Sequence, residues 1–239
     1  MIETTEVMRT MFGNEAAISA ALMKQYDDYT IRRMGVPSLV LMERAALAVV
    51  DELMMGRDPV FNLSRVICLC GAGNNGGDGA AIARLLFIAG FRADIVFIGA
   101  EASLSDETAR QLMIAKNYGV SIFENPEPES LTHLFIETGA TTIVDALFGI
   151  GLSRPVAGRH LDAINMCNTS PAKVLAVDIP SGLSADTGEI LGAAVQADKT
   201  VVLAFQKLGM TVEPGASLAG NTVVRDIGIV RQGGANGLD

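Results

Sequence analysis

A succession of short, almost unbroken apolar runs constrains this chain more than any other feature: Arg65 to Cys70, Ala93 to Ile98, Thr142 to Leu147, Lys173 to Val177, Thr200 to Phe205 and Thr222 to Ile229. A strand wetted on one face alternates apolar and polar side chains. A continuous run belongs instead to a strand covered on both faces, as in a parallel sheet. The intervening segments 80–90, 105–118 and 128–138 are suited to cross over as helices. The pattern predicts an α/β fold with a doubly wound, mostly parallel sheet in a three-layer αβα sandwich, Rossmann-like in plan.

The first 57 residues read differently. Ala20, Met23, Ile31 and Met34 recur at helical spacing, Gly35-Val36-Pro37-Ser38 breaks the run, and Leu41, Ala45 and Val49 resume it, so two N-terminal helices are expected. Most of the 11 methionines fall here, among them Met23, Met34, Met42, Met54 and Met55, giving an adaptable apolar surface for core packing or for a dimer contact. Without an internal repeat or linker, 1–239 reads as one domain: helices over 1–57, a core over 58–230 and a flexible tail over 231–239.

Composition narrows the partners. With 49% hydrophobic and 19% charged residues the chain is globular rather than disordered. Its net charge of -9 sets up a field that repels nucleic acid and anionic membranes, so any phosphate must be held by local donors. Cys68 and Cys70 share one face of a strand and Cys167 is distant, a pattern of small reduced core residues rather than a zinc site or a disulfide framework. No basic leader and no apolar stretch of about 18 residues occurs. A soluble, cytoplasmic protein is expected.

In open α/β sheets ligands bind beyond the carboxyl ends of the strands, and here four of those ends run into polar segments. After the first run comes Gly71-Ala72-Gly73-Asn74-Asn75-Gly76-Gly77-Asp78-Gly79, in which Gly71, Gly73 and Gly76 satisfy the dinucleotide pattern GxGxxG. The loop departs from that pattern by carrying Asn74, Asn75 and Asp78 inside it, while no acid stands clearly at the end of the second strand, Glu101 being the nearest. Asp78 suits both an N-cap and a ligand contact, and the asparagines suit both a turn and a site.

Asp145 lies within an apolar run and must be paired, capped or cation-bound, because desolvating a lone carboxylate costs several kcal/mol. The loop Gly149-Ile150-Gly151-Leu152-Ser153-Arg154-Pro155 offers flexibility and a guanidinium suited either to phosphate or to a surface ion pair. Asp178 and Ser181 come after the fourth run. Asp78, Asp145 and Asp178 thus all belong to one sheet edge, where their repulsion favours a bound cation or a raised pKa. Asn75, Asp145 and Ser181 make a hard, weakly charged donor set that points to potassium rather than Mg²⁺. Lys207 reads as a solvated loop lysine, with proton transfer or phosphate orientation as its secondary reading.

Taken together these segments resemble the NAD(P)H-hydrate epimerase family: Gly35 to Ala45, the Asn74 to Gly79 loop, Asp145 to Leu152, Asp178 to Leu183 and Lys207-Leu208-Gly209. The resemblance implies that Asn74, Asn75, Gly76, Gly77, Asp78, Gly149, Ile150, Gly151, Leu152, Ser153, Arg154, Pro155 and Asp178 contact hydrated NADH or NADPH. It also implies that Asn75, Asp145 and Ser181 ligate potassium. A homodimer through the N-terminal helices and a separate or fused nucleotide-dependent dehydratase are implied partners. Where many relatives carry Asn-Ala-Gly, this chain has Arg44-Ala45-Ala46.

Asp178 is the expected general base or acid, placed at a strand end beside other negative charge. A non-catalytic nucleotide-binding or scaffold module is the competing reading, against which all three aspartates stand. An ordinary dehydrogenase lacks support because no Tyr-x-x-x-Lys pair occurs, and a serine hydrolase because GxSxG is absent.

Overall fold

The computed structural model describes residues 17–55 and 60–231. Helices α1 (Ala20–Asp28) and α2 (Ser38–Met55) precede β1 (Val66–Cys70), α3 (Asn74–Ile88) and β2 (Ala93–Phe97). Then come α4 (Asp106–Tyr118), β3 (Ile122–Glu124), α5 (Pro128–Thr132), β4 (Thr142–Ala146) and α6 (Arg159–Thr169). The chain closes with β5 (Lys173–Val177), β6 (Lys199–Leu203), the short α7 (Gly215–Leu218) and β7 (Asn221–Arg225). The methionines before residue 17 and the tail from residue 232 lie outside the described residues.

Seven parallel strands form one sheet in the order β3-β2-β1-β4-β5-β6-β7. One apolar cluster joins α2, α3 and Ala115 of α4 to Cys68, Val144 and Val201 on one face. A second joins α5 and α6 to Ile67, Leu69 and Ile143 on the other. Both faces are therefore covered, the physical reason that the strands read as continuous apolar runs. The three cysteines are free and buried, Cys68 and Cys70 in the first cluster and Cys167 in the second. The buried Glu52 of α2 pairs with both Lys199 and Arg225, tying that helix to β6 and β7.

Several boundaries differ from the sequence expectation. β3, only three residues long and partly exposed, leaves too short an apolar signal to be read. The last strand ends at Arg225 rather than near Ile229. The helix expected over 80–90 begins at Asn74, so most of the glycine-rich segment is helical. Its glycines serve close packing: a Cβ on Gly76 would stand 1.8 Å from the Gly71 carbonyl oxygen, and one on Gly79 2.6 Å from the Ala146 methyl. A Cβ on Gly73 would meet nothing within 4 Å. Gly76→Ala is therefore expected to cost about 3 kcal/mol or more through overpacking. Gly73→Ala, which changes only an N-cap, should cost about 1 kcal/mol. Urea unfolding midpoints of the two variants measure this contrast, and equal midpoints would refute the packing argument.

Candidate active site

Strand order reverses direction between β1 and β4, since the chain winds outward from β1 through β2 to β3 and then returns to the other side of β1. The crossovers leaving β1 and β4 diverge there and open a crevice at the carboxyl ends of both strands. A cavity of about 700 Å³ occupies that position, walled by the start of α3, the segment after β4, Asp178 after β5, and residues of α1 and α2. Its volume is suited to a nucleotide-sized ligand.

The α3 wall begins at Gly73, whose extended backbone caps the helix without a side-chain hydrogen bond. The first N–H groups of α3 and the positive end of its dipole thus border the cavity through Gly73, Asn74 and Asn75. Asp78 is not the cap. It lies one turn into α3, where it is 8% exposed and faces the cavity. Opposite in sequence, the segment Gly149 to Arg154 also lines the cavity, and the exposed Arg154 has no ion pair among the described residues.

Beneath this rim lies a tight polar cluster. Asp145, wholly buried in β4, accepts hydrogen bonds from the Ser181 hydroxyl at 2.6 Å, the Ser181 N–H at 2.8 Å and the Leu147 N–H at 3.3 Å. No basic side chain pairs with it among the described residues, so the alternative of a salt bridge falls. Burial pushes its carboxyl up to about 6, against the opposing pull of the three donors. Asn75 donates to the Phe148 carbonyl at 2.9 Å, and Ser181 accepts from the Phe148 N–H at 2.8 Å. Asn75, Asp145 and Ser181, far apart in sequence, are thereby gathered around the Leu147-Phe148 turn.

Asp178 adopts a left-handed backbone at φ 69°, which aims its side chain back over the strand ends. Its Oδ1 accepts from the Leu203 N–H at 3.0 Å and from the Lys207 ammonium. Lys207 is fully buried and also donates to the Leu203 carbonyl at 2.9 Å. This corrects the reading of a solvated loop lysine: the residue is an internal counter-ion, and burial lowers its pKa while Asp178 opposes that shift. The sequence places Lys207 just after an apolar strand, where loop and interior look alike.

A third carboxylate at the cavity comes from outside the recognised motifs. Asp27 of α1 lines the cavity with Asp78 and Asp178, whereas Asp145 lies below the lining. Burial raises the Asp27 pKa, followed by repulsion from Asp28 and Asp178. Burial likewise pushes Asp78 well up, with Asp178 and Asp27 adding to it. Of the other residues expected to hold the hydrate, Gly76 and Gly77 pack inside α3 and Pro155 stands outside the lining. The side chain of Glu101 lies outside the described residues.

Comparison with known proteins places this arrangement. Residues 38–209 match the family model described as YjeF-related protein N-terminus. Proteins named NAD(P)H-hydrate epimerase are similar over most of their length. That of Oenococcus oeni is 47% identical over 212 residues, covering 89% of this chain and 96% of the relative. That of Limosilactobacillus reuteri is 49% identical over 207 residues, covering 87% and 93%. The crystal structure of yeast ynu0, YNL200c, superposes with a TM-score of 0.74 at 19% identity, covering 93% of this chain and 98% of that one, which is a likeness of fold. With its motifs converging on one cleft and relatives of this similarity, the chain belongs to the YjeF-related N-terminal family, that of the NAD(P)H-hydrate epimerases.

Proposed function

We propose that this protein is an isomerase that interconverts the R and S epimers of hydrated NADH and NADPH. The carrying observation is the cleft at the strand-order reversal, where a helix N-terminus and the exposed Arg154 meet a carboxylate held by a buried lysine. The helix N-terminus and Arg154 suit the phosphates of the ligand. The epimerised carbon carries a hydroxyl beside the ring nitrogen, so inversion requires a proton to be taken and returned there, and Asp178 is the general base or acid. Its orientation is fixed by Lys207 and the Leu203 N–H before substrate arrives.

Potassium is the proposed bound ion, held by Asn75, Asp145 and Ser181. The donor set fits: a wholly buried carboxylate without a basic partner among the described residues, a hydroxyl and the Phe148 carbonyl lie together, hard oxygens of low total charge. Bound there, the ion supplies a fixed positive charge beside the Asn74 to Asp78 segment. No helix of the described residues is long and apolar enough to cross a membrane. Cytoplasmic action fits the reduced cysteines. A homodimer through the N-terminal helices is supported by Val40, Leu47 and Met54, exposed apolar residues seven apart on α2. A separate or fused dehydratase would consume one epimer.

Following interconversion of a single purified epimer by chromatography, with potassium and then with choline in its place, tests the proposal. Conversion should be fast with potassium and slow without it. Hydrate binding without any conversion would leave the non-catalytic module instead.

A further inference from the structure

We infer that Asp27 is a second catalytic residue, working with Asp178 as the other half of a two-carboxylate proton relay. The inference rests on the epimerase reading above. Inverting a carbon exchanges the face on which the hydroxyl stands, so a single fixed group serves one face only. A partner on a different structural element meets the other requirement. Asp178 reaches the cavity from the sheet edge, and Asp27 reaches it from α1, where Met23, Lys24 and Asp27 share one cavity-facing stripe.

Asp27 is placed with the firmness that catalysis needs. Ile18 pairs with the segment that carries Lys207, through Ile18 N–H to the Gln206 carbonyl at 2.8 Å and Leu208 N–H to the Ile18 carbonyl at 3.1 Å. The Ala20 N–H donates to Asp186 at 2.7 Å, and Tyr26 packs edge-on against Phe205 at 5.6 Å. Beyond the helix, the Val230 N–H donates to Thr30 at 2.9 Å. Thus α1 is fastened at both ends to the strand-end loops around Asp178.

The two carboxylates also differ in the manner an acid–base pair requires. Asp178 has the Lys207 ammonium against it, whereas Asp27 has no hydrogen bond or ion pair among the described residues. The charged groups that face Asp27 are Lys24 and Asp28 on its own helix, Asp78 on α3, Asp178 after β5 and Arg154 on the opposite loop. Burial, with repulsion from Asp28 and Asp178 added to it, raises the Asp27 carboxyl above its ordinary range, as a proton donor requires.

In the step this assigns, the Asp27 carboxylic acid protonates the hydroxyl of the hydrate. The C–O bond breaks, its electron pair leaves with oxygen as water, and the ring-nitrogen lone pair closes a C=N⁺ bond. Water adds to the opposite face, the C=N⁺ pair returns to nitrogen, and Asp178 takes the released proton. One water leaves and one enters. The reverse direction uses the two groups in exchanged roles, as an epimerase demands.

The test compares wild type with Asp27→Asn, Asp27→Glu and Asp28→Asn on a single purified hydrate epimer. Asp27→Asn should lower kcat by about 10²-fold or more while KM stays within about threefold. Asp27→Glu should recover part of the loss. Asp28→Asn, at an exposed residue paired with Arg32, removes only part of the repulsion on Asp27 and should lower kcat by no more than about threefold. Removing a repelled carboxylate should keep or raise the thermal midpoint of Asp27→Asn. The assignment is overturned if Asp27→Asn turns over within threefold of wild type, if only KM changes, or if the loss comes with a lowered midpoint and no recovery in Asp27→Glu. A wild type that fails to interconvert the epimers overturns the underlying reading too. An active wild type with an indifferent Asp27→Asn overturns this assignment alone.

Discussion

Asp178→Asn is expected to reduce turnover of the hydrate by about 10²- to 10⁴-fold, the span typical of removing a positioned general acid or base. Asparagine tolerates the left-handed backbone found there, so the main chain should hold. The variant also strands the buried Lys207 ammonium, and breaking such a pair from one side costs about 3–5 kcal/mol of stability. Lys207→Met in the same chain removes the orphaned charge. The double variant should therefore regain most of the lost stability and none of the lost turnover. Thermal unfolding and epimer kinetics on the two variants read these separately. Full turnover in Asp178→Asn, or recovery of turnover in the double variant, would remove Asp178 from the chemistry.

The legibility of this protein in its sequence divides along physical lines. Strands covered on both faces cannot disguise their composition, so β1, β2, β4, β5 and β6 are readable from apolar runs alone. β3 is not, because a three-residue edge strand buries little. Among candidate site residues, Asn75, Asp145 and Ser181 are legible through motif and charge logic, and they do gather around Phe148. Lys207 is misread from sequence because exposure of a residue after a strand depends on what folds over it, here the Ile18 bridge. Asp27 carries no local signal: a second aspartate adjoins it, and helical periodicity alone does not tell which of the two faces inward. The helical start of the glycine segment is hidden by ordinary propensity, which disfavours glycine within helices unless packing demands it.

If potassium binds at Asp145 as proposed, the ion-free protein should lose stability as pH rises through the titration of that carboxyl, a loss that adding the ion then offsets. Burial pushes Asp145 up to about 6 from its ordinary 3.8. Between those values the folded state keeps a proton that the unfolded chain has released. Stability is then fully present below about pH 4 and is lost as pH rises through about 6, by about 3 kcal/mol in total. A cation that binds the ionised carboxylate reverses this loss. For a domain of this size the corresponding rise in thermal midpoint is about 6 to 12 °C on adding potassium at neutral pH, and much less near pH 4. Asp145→Asn should abolish the response to the ion and remove Asp145's share of the pH dependence, leaving the shares of Asp78 and Asp27. A potassium response of equal size at both pH values would disconnect the ion from this carboxylate.

The fastening of α1 to the Gln206–Leu208 loop has a wider implication for how relatives of this protein are to be delimited. The segment matched by the family starts at residue 38, yet the helix that closes one wall of the pocket ends before it. A protein trimmed to the matched region would keep β1 to β6 and the Gly71 to Gly79 segment and still present an open-sided cleft. The boundary that defines kinship and the boundary that defines a working catalyst are two different places in the chain.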